Sequence, residues 1–268
     1  MKAKLGFFGA GKMAEGILAA AATAPGFDPA SVLMAETNPV RAKEIAKKYG
    51  VRTTPDAKEV AKSARLIFLA VRPQDIAALA ADVKPFLGEG TLVASVAAGK
   101  KLSALRKALG AKVRLVRVMP NLALRVGEGM CAVCPARNAT TKDVAAVRKI
   151  LDRAGRTVIL PERNFDAVTA LSGSGPAFFA YMQRAMAEGG RKLGLPPAAA
   201  GLLAAQTMLG TAKFLSATGM DLNAFIAGVA TPGGTTAAGM DRLAKGAFDV
   251  EVAATLKAAA DRSAELGR

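Results

Sequence analysis

Over its first 160 residues the chain alternates short apolar runs with segments of helical period, and this regular change of period constrains the fold more than any other feature. Residues 4–8 read as a strand, 12–24 as a helix, 31–35 as a strand and 39–49 as a helix. The most hydrophobic strand, Arg-Leu-Ile-Phe-Leu-Ala-Val, occupies 65–71 and precedes a helix over 75–83. A strand at 91–96, a helix at 102–109 and a strand at 112–118 follow, then a strand at 130–134, a helix at 142–152 and a strand at 157–160. Strands separated by helices pair through crossover connections. The spacing therefore predicts an α/β fold, a doubly wound Rossmann sheet over residues 1–162. After Pro161 the strand-like runs stop. Phe178, Met182, Ala185, Gly189 and Leu193 fall on one helical face, and residues 163–268 read as an all-helical domain. Its Ala-rich helices carry broad apolar faces, which predict an oligomer held by this half.

Composition removes several chemistries. The chain has no histidine, so it has no Ser-His-Asp triad, no His-ligated metal and no imidazole acid. Two cysteines without histidine cannot complete a Cys/His zinc site, and no metal is expected. Cys131 and Cys134 lie on a strand-like run, where positions i and i+3 point to opposite faces, so they read as buried free thiols and not as a redox pair. Lys and Arg outnumber Asp and Glu by 37 to 21, a net charge of +16. The basic residues come as singles and pairs such as Lys47-Lys48 and Arg191-Lys192, with few aromatics among them. That pattern suits anionic small molecules, and neither nucleic acid nor a membrane is expected as a partner. The uncharged stretch 193–212 is broken early by Pro196-Pro197 and reads as a core or interface helix. Met1-Lys2-Ala3-Lys4 leads directly into the first apolar run without a cleavage site, and low cysteine usage fits a reducing cytoplasm.

The first strand continues as Leu5-Gly-Phe-Phe-Gly9-Ala-Gly11-Lys-Met-Ala14, a strand, a G-x-G-x-x-A turn and a helix in the order that dinucleotide binding requires. Gly9 permits the tight turn, Gly11 lets backbone approach a pyrophosphate, and the small Ala14 lets the helix pack close on the strand. Free amides at the helix start then face the phosphates. Glu36, 25 residues after Gly11, suits the ribose hydroxyls of NAD, whereas Thr37, Asn38 and Arg41 just beyond suit the 2′-phosphate of NADP, and the sequence leaves both open. Three further strand ends point to the same sheet edge: Ala70-Val71-Arg72-Pro73, Ser95-Val-Ala97-Ala98-Gly99 and Met119-Pro120-Asn121. In the helical half, Leu171-Ser-Gly-Ser174-Gly175-Pro-Ala177 and Ala230-Thr231-Pro-Gly233-Gly234-Thr235-Thr236 each precede a helical run. Exposed amides with Ser or Thr caps at such helix starts suit a small carboxylate.

Together these motifs resemble the pyrroline-5-carboxylate reductase family over nearly the whole chain. The likeness runs from the glycine-rich turn through Ala70-Val71-Arg72-Pro73-Gln74, Ser95-Val-Ala-Ala-Gly99 and Met119-Pro120-Asn121. It continues through Ala167-Val-Thr-Ala-Leu-Ser-Gly-Ser-Gly-Pro-Ala177 and Thr231-Pro-Gly-Gly-Thr-Thr236. The resemblance implies a C-terminal helical dimerisation domain, a homodimer or higher oligomer, use of NADPH or NADH, and reduction of 1-pyrroline-5-carboxylate to L-proline. It implies cofactor contacts from Phe8, Gly9, Ala10, Gly11, Lys12 and Met13, from Glu36, Thr37 and Asn38, and from the three strand ends. It places the Thr236 hydroxyl at the imine nitrogen, backbone around Gly233, Gly234 and Thr235 on the substrate carboxylate, and Thr231, Ser174 and Gly175 in the same pocket. An imine is basic enough to be protonated near neutrality, and an iminium accepts hydride without a histidine acid.

Some positions depart from the family pattern. Leu122-Ala123 replaces Thr-Pro after Met-Pro-Asn, residues 219–229 keep only Asp221 as a carboxylate, and Ala57 stands where Asn is frequent near the adenosine. The related β-hydroxyacid dehydrogenases carry a catalytic Lys where this chain has Phe179, which argues against that activity. A reductase of another cyclic imine and a basic nucleotide-binding protein without catalysis are the remaining alternatives.

Overall fold

The structure, a computed structural model, describes residues 4–267. The opening residues Met1, Lys2 and Ala3, read above for a leader, lie outside the described residues. The strands are β1 (Leu5–Phe8), β2 (Val32–Ala35), β3 (Arg52–Thr54), β4 (Leu66–Leu69), β5 (Leu92–Ser95), β6 (Arg114–Pro120), β7 (Gly129–Pro135) and β8 (Gly155–Ile159). They form one sheet in the order β3-β2-β1-β4-β5-β6-β7-β8. From β3 to β6 all ladders are parallel, so the 3-2-1-4-5-6 order is that of the doubly wound Rossmann fold. β7 runs antiparallel to β6, and β8 parallel to β7. The reversal has a simple cause: only eight residues join β6 to β7, including a 3-10 turn at Leu122–Val126, whereas a parallel crossover needs a dozen or more.

The helices of this part are α1 (Lys12–Ala22), α2 (Pro39–Tyr49), α3 (Ala57–Ser63), α4 (Ile76–Val83), α5 (Leu102–Leu109), α6 (Thr141–Leu151) and the short α7 (Phe165–Val168). They cover both faces of the sheet, and neighbouring residues of β1 show why. Phe7 and Phe8 are both fully buried, but Phe7 joins the layer holding Ile17, Leu18, Met34, Phe68 and Val147. Phe8 joins the opposite layer with Val60, Ile67, Ile76 and Leu105. Strands buried on both faces need continuous apolar runs, as β1 and β2 have.

Downstream, the chain is helical: α8 (Gly175–Lys192), α9 (Pro197–Thr218), α10 (Leu222–Val229), α11 (Thr235–Lys245) and α12 (Phe248–Leu266). Two compact units result, one ending at Ser174 and regaining the chain from Ala259, the other spanning Gly175–Ala258. In the first unit, the last turns of α12 are held by the Ser263 hydroxyl, which donates to Asp166 at 2.7 Å. In the second, α8 packs along α9, yet Leu202, Leu203, Leu209, Leu222, Val229 and Val250 are exposed. Of the residues predicted to share one helical face, Phe178 and Met182 are half-buried while Leu193 is 89% exposed. Apolar surface on this scale marks a face that another surface covers. Among the described residues, no helix is long and apolar enough to cross a membrane, and no group of three or more Cys, Asp or Glu side chains is placed to hold a metal.

Candidate active site

The connection after β1 places α1 on one face of the sheet, while that after β4 places α4 on the other. A crevice opens where neighbouring strands diverge in this way. Here it is a cleft of about 470 Å³ lined by Phe8, Gly9, Gly11, Glu36, Thr37, Asn38, Ala70, Val71 and Arg72 of the residues singled out in the sequence. Ala35, Pro55, Ala57, Asp75 and Leu79 complete the wall. Ala57 was reached through the family pattern. Pro55 escapes the sequence because β3 and α3, which flank it, are too short to show a period; Ala35, Asp75 and Leu79 lie on an expected strand and helix whose patterns do not say which of their residues reach a cleft. Ala10, Lys12, Met13, Pro73, Ala97, Ala98, Met119, Pro120 and Asn121 are not in this lining.

Gly9 has φ +93°, and a Cβ there would lie 2.9 Å from the carbonyl oxygen of Ala70. The turn thus needs glycine for its backbone and for its closeness to β4. Gly11 caps α1 without a side-chain hydrogen bond, and nothing lies within 4 Å of the position its Cβ would take. The first amides of α1 therefore have room for a pyrophosphate at a positive helix end. On this observation the residues fit a dinucleotide.

The side chains beside that turn are more committed than their sequence positions suggest. Glu36 accepts hydrogen bonds from the Ala10 amide at 3.0 Å and from the Asn38 amide at 2.9 Å. Asn38 caps α2, its side-chain oxygen accepting from the Val40 and Arg41 amides. Arg41, considered above for a 2′-phosphate, donates instead to the Ala10 carbonyl at 2.8 Å and pairs with Glu15 at 2.6 Å and Glu44 at 3.2 Å. Glu15 is nearly buried, and it also accepts from Lys48 at 2.8 Å and Tyr49 at 3.3 Å. Hydrogen bonds from Lys48 and then Arg41 lower its pKa from 4.5 to about 2, and the same pairing raises that of Arg41.

At the β6 end, the Asn121 side-chain oxygen accepts from the Met130 amide at 3.1 Å, and its amide group faces the Ser172 hydroxyl at 3.5 Å. Ser172 sits in a π-helical turn, Thr169–Gly173, that follows α7. A Cβ on Gly173 would meet the Met119 methyl at 2.6 Å, so this turn fits tightly against β6. Such π turns are frequent at functional sites. Nearby, Arg117 is 5% exposed, pairs with Glu162 at 2.9 Å and lies 4.6 Å above the Phe165 ring.

In the helical unit, Thr235 and Thr236 open α11, with Gly234 as N-cap and no side-chain cap. The expected Thr cap is thus replaced by glycine, which has no side chain to occupy the first amides. Thr236 is half-buried, whereas Thr231, Gly233 and Thr235 are exposed. Gly175 begins α8 and is buried, and Ser174, half-buried, precedes it. Asp221, the retained carboxylate of the 219–229 segment, caps α10 by accepting from the Asn223 and Ala224 amides. Phe179 is 64% exposed. Cys131 and Cys134 pack in different apolar clusters, and burial pushes the Cys131 thiol up to about 12 and that of Cys134 in the same direction. Burial of this kind disfavours the thiolate that redox exchange requires.

Residues 162–266 match the family model for pyrroline-5-carboxylate reductase dimerisation, and residues 4–99 match that for NADP oxidoreductase coenzyme F420-dependent. A pyrroline-5-carboxylate reductase of Arabidopsis thaliana is 37% identical over 265 residues, covering 99% of this chain and 96% of its own. One from Synechocystis is 37% identical over the whole of both chains. The solved pyrroline-5-carboxylate reductase of Coxiella burnetii superposes over the full length of both chains with a TM-score of 0.94 at 29% identity. That of Plasmodium falciparum, solved with NADP bound, reaches 0.87 at 26% identity over 99% of this chain and 98% of its own. With likeness running from the glycine-rich turn to the last helix, the chain belongs to the pyrroline-5-carboxylate reductase family.

Proposed function

We propose that this protein reduces 1-pyrroline-5-carboxylate to L-proline with NADPH or NADH, the last step of proline biosynthesis. The observation that carries the reading is the end-to-end likeness: both the β1–α1 cleft and the uncapped α11 start fall within a 37% identity that covers 99% of the chain. When bound, the reduced nicotinamide supplies the hydride. Residues 1–162 bind the dinucleotide. Amides from Gly11, Lys12 and Met13 hold the pyrophosphate, Glu36, Thr37 and Asn38 meet the adenosine ribose, and the strand ends at Ala70–Pro73, Ala97-Ala98 and Met119–Asn121 line its path. Residues 163–268 bind substrate and dimerise. The free amides at Gly234 and Thr235 hold the carboxylate at a positive helix end, with Gly233, Thr231, Ser174 and Gly175 around it. The Thr236 hydroxyl orients the imine nitrogen, which enters protonated and donates its N–H to the hydroxyl oxygen, so that position and electrostatics replace an acid catalyst.

The exposed apolar side chains of α9, α10 and α12 support a homodimer or larger assembly through the helical half. A cytoplasmic enzyme acting on small anions, with no nucleic-acid or membrane partner, is the reading that the dispersed charge and low cysteine usage support. The test is oxidation of NADPH and NADH with pyrroline-5-carboxylate as acceptor. Turnover is expected with the wild type. Thr236→Ala is expected to lose at least about tenfold in kcat with dinucleotide binding kept, the effect of roughly one hydrogen bond in the transition state. Absence of turnover with this substrate would overturn the function, and unchanged kcat in Thr236→Ala would remove that residue from the mechanism.

A further inference from the structure

Resting on the dinucleotide reading, we infer that the cleft selects against a 2′-phosphate, taking NAD(H) over NADP(H), with Glu36 as the specificity-determining residue and Arg41 withheld from the ligand by Glu15. The sequence leaves this choice open because it offers an acid and a base within six positions. Their hydrogen bonds separate them. Glu36 stands in the cleft wall with each carboxylate oxygen bound to one backbone amide, Ala10 or Asn38. An ionised carboxylate has about four acceptor sites, so about two remain for donors in the cleft. The 2′- and 3′-hydroxyls of an adenosine ribose are such donors. A 2′-phosphate has little proton to give near neutral pH and brings a charge of about −1.5 to −2 against the carboxylate.

Among the described residues, the lining holds no unpaired cation to offset that repulsion. Arg41 is spent on the Ala10 carbonyl, Glu15 and Glu44, and Lys48 on Glu15. Arg72, the one basic side chain in the cleft wall among the described residues, forms a two-point pair with Asp75 at 2.7 and 3.3 Å. Thr37 and Asn38 offer only neutral donors. Glu36 is itself held by the loop it supports, so it cannot swing away without freeing the Ala10 amide.

Titration calorimetry with NAD+ and NADP+, which differ only in the phosphate, tests this without turnover. NAD+ is expected to bind the wild type at least about tenfold more tightly, the order set by one carboxylate facing a phosphate in a water-exposed cleft. Glu36→Gln should close most of the gap. Glu15→Gln, which releases Arg41 without touching Glu36, should raise NADP+ affinity severalfold. Equal or tighter NADP+ binding by the wild type would overturn the inference, as would a gap that survives Glu36→Gln in a variant with a native melting curve. Failure of both dinucleotides to bind would overturn the dinucleotide reading itself, and the inference with it.

Discussion

Glu15 is the residue whose replacement has the most calculable effect. It sits in α1 with a side chain 12% exposed and accepts from Arg41, Lys48 and Tyr49 at 2.6, 2.8 and 3.3 Å. A carboxyl that titrates at about 2 in the fold and near its ordinary 4.5 when unfolded stabilises the native state by ~3 kcal/mol at neutral pH if the whole difference counts. Solvent around the exposed Lys48 screens part of it, leaving about 2 kcal/mol. Glu15→Gln should therefore lower the stability measured by urea unfolding at pH 7 by about 2 kcal/mol. The sign of the pH dependence follows from the depressed pKa. The contribution is complete above the unfolded value of 4.5 and disappears as pH falls towards 2, so wild type and variant should converge in that window. An unchanged urea midpoint at pH 7, or a difference that stays constant down to pH 3, would refute the ion cluster as a stabilising element.

Two other substitutions probe neighbouring features. Gly9→Ala forces a side chain into φ +93° and against the Ala70 carbonyl at 2.9 Å. It should cost about 2 kcal/mol by strain and crowding and weaken dinucleotide binding at least tenfold, read by urea unfolding and calorimetry. Glu162→Gln leaves Arg117, 5% exposed, without its counter-charge and should destabilise the fold by about 3 kcal/mol. A melting temperature within a degree of wild type would show that water compensates that charge.

The sheet was legible because its strands are buried on both faces and so announce themselves as apolar runs between helical periods. Apart from β3 and α3, the strands and helices of the first 160 residues fall within a few residues of their predicted limits. β3 and α3 escaped notice because three residues with one buried side chain, Thr54, leave no pattern to read. The strand at β7 is legible but its antiparallel direction is not, because direction is set by the length and course of the connection and not by the strand's own residues. In the cleft, glycine spacing located the turn, since only backbone geometry was at stake. The partners of Glu36 and Arg41 were hidden: a charged side chain at a strand end reads the same whether it faces a ligand or braces its own loop. Only the contacts from Arg41 to Glu15, 26 positions away, and to the Ala10 carbonyl separate the two roles.

The proposed function rests on the transfer of hydride onto a cyclic imine carbon by a chain without histidine. It is tested most directly by supplying cofactor deuterated at the transferable nicotinamide position, together with 1-pyrroline-5-carboxylate, and examining the product by mass spectrometry. The expected product is L-proline with one deuterium, on the ring carbon that was the imine carbon. Cofactor oxidation without labelled proline, or proline formed without the label, would contradict it.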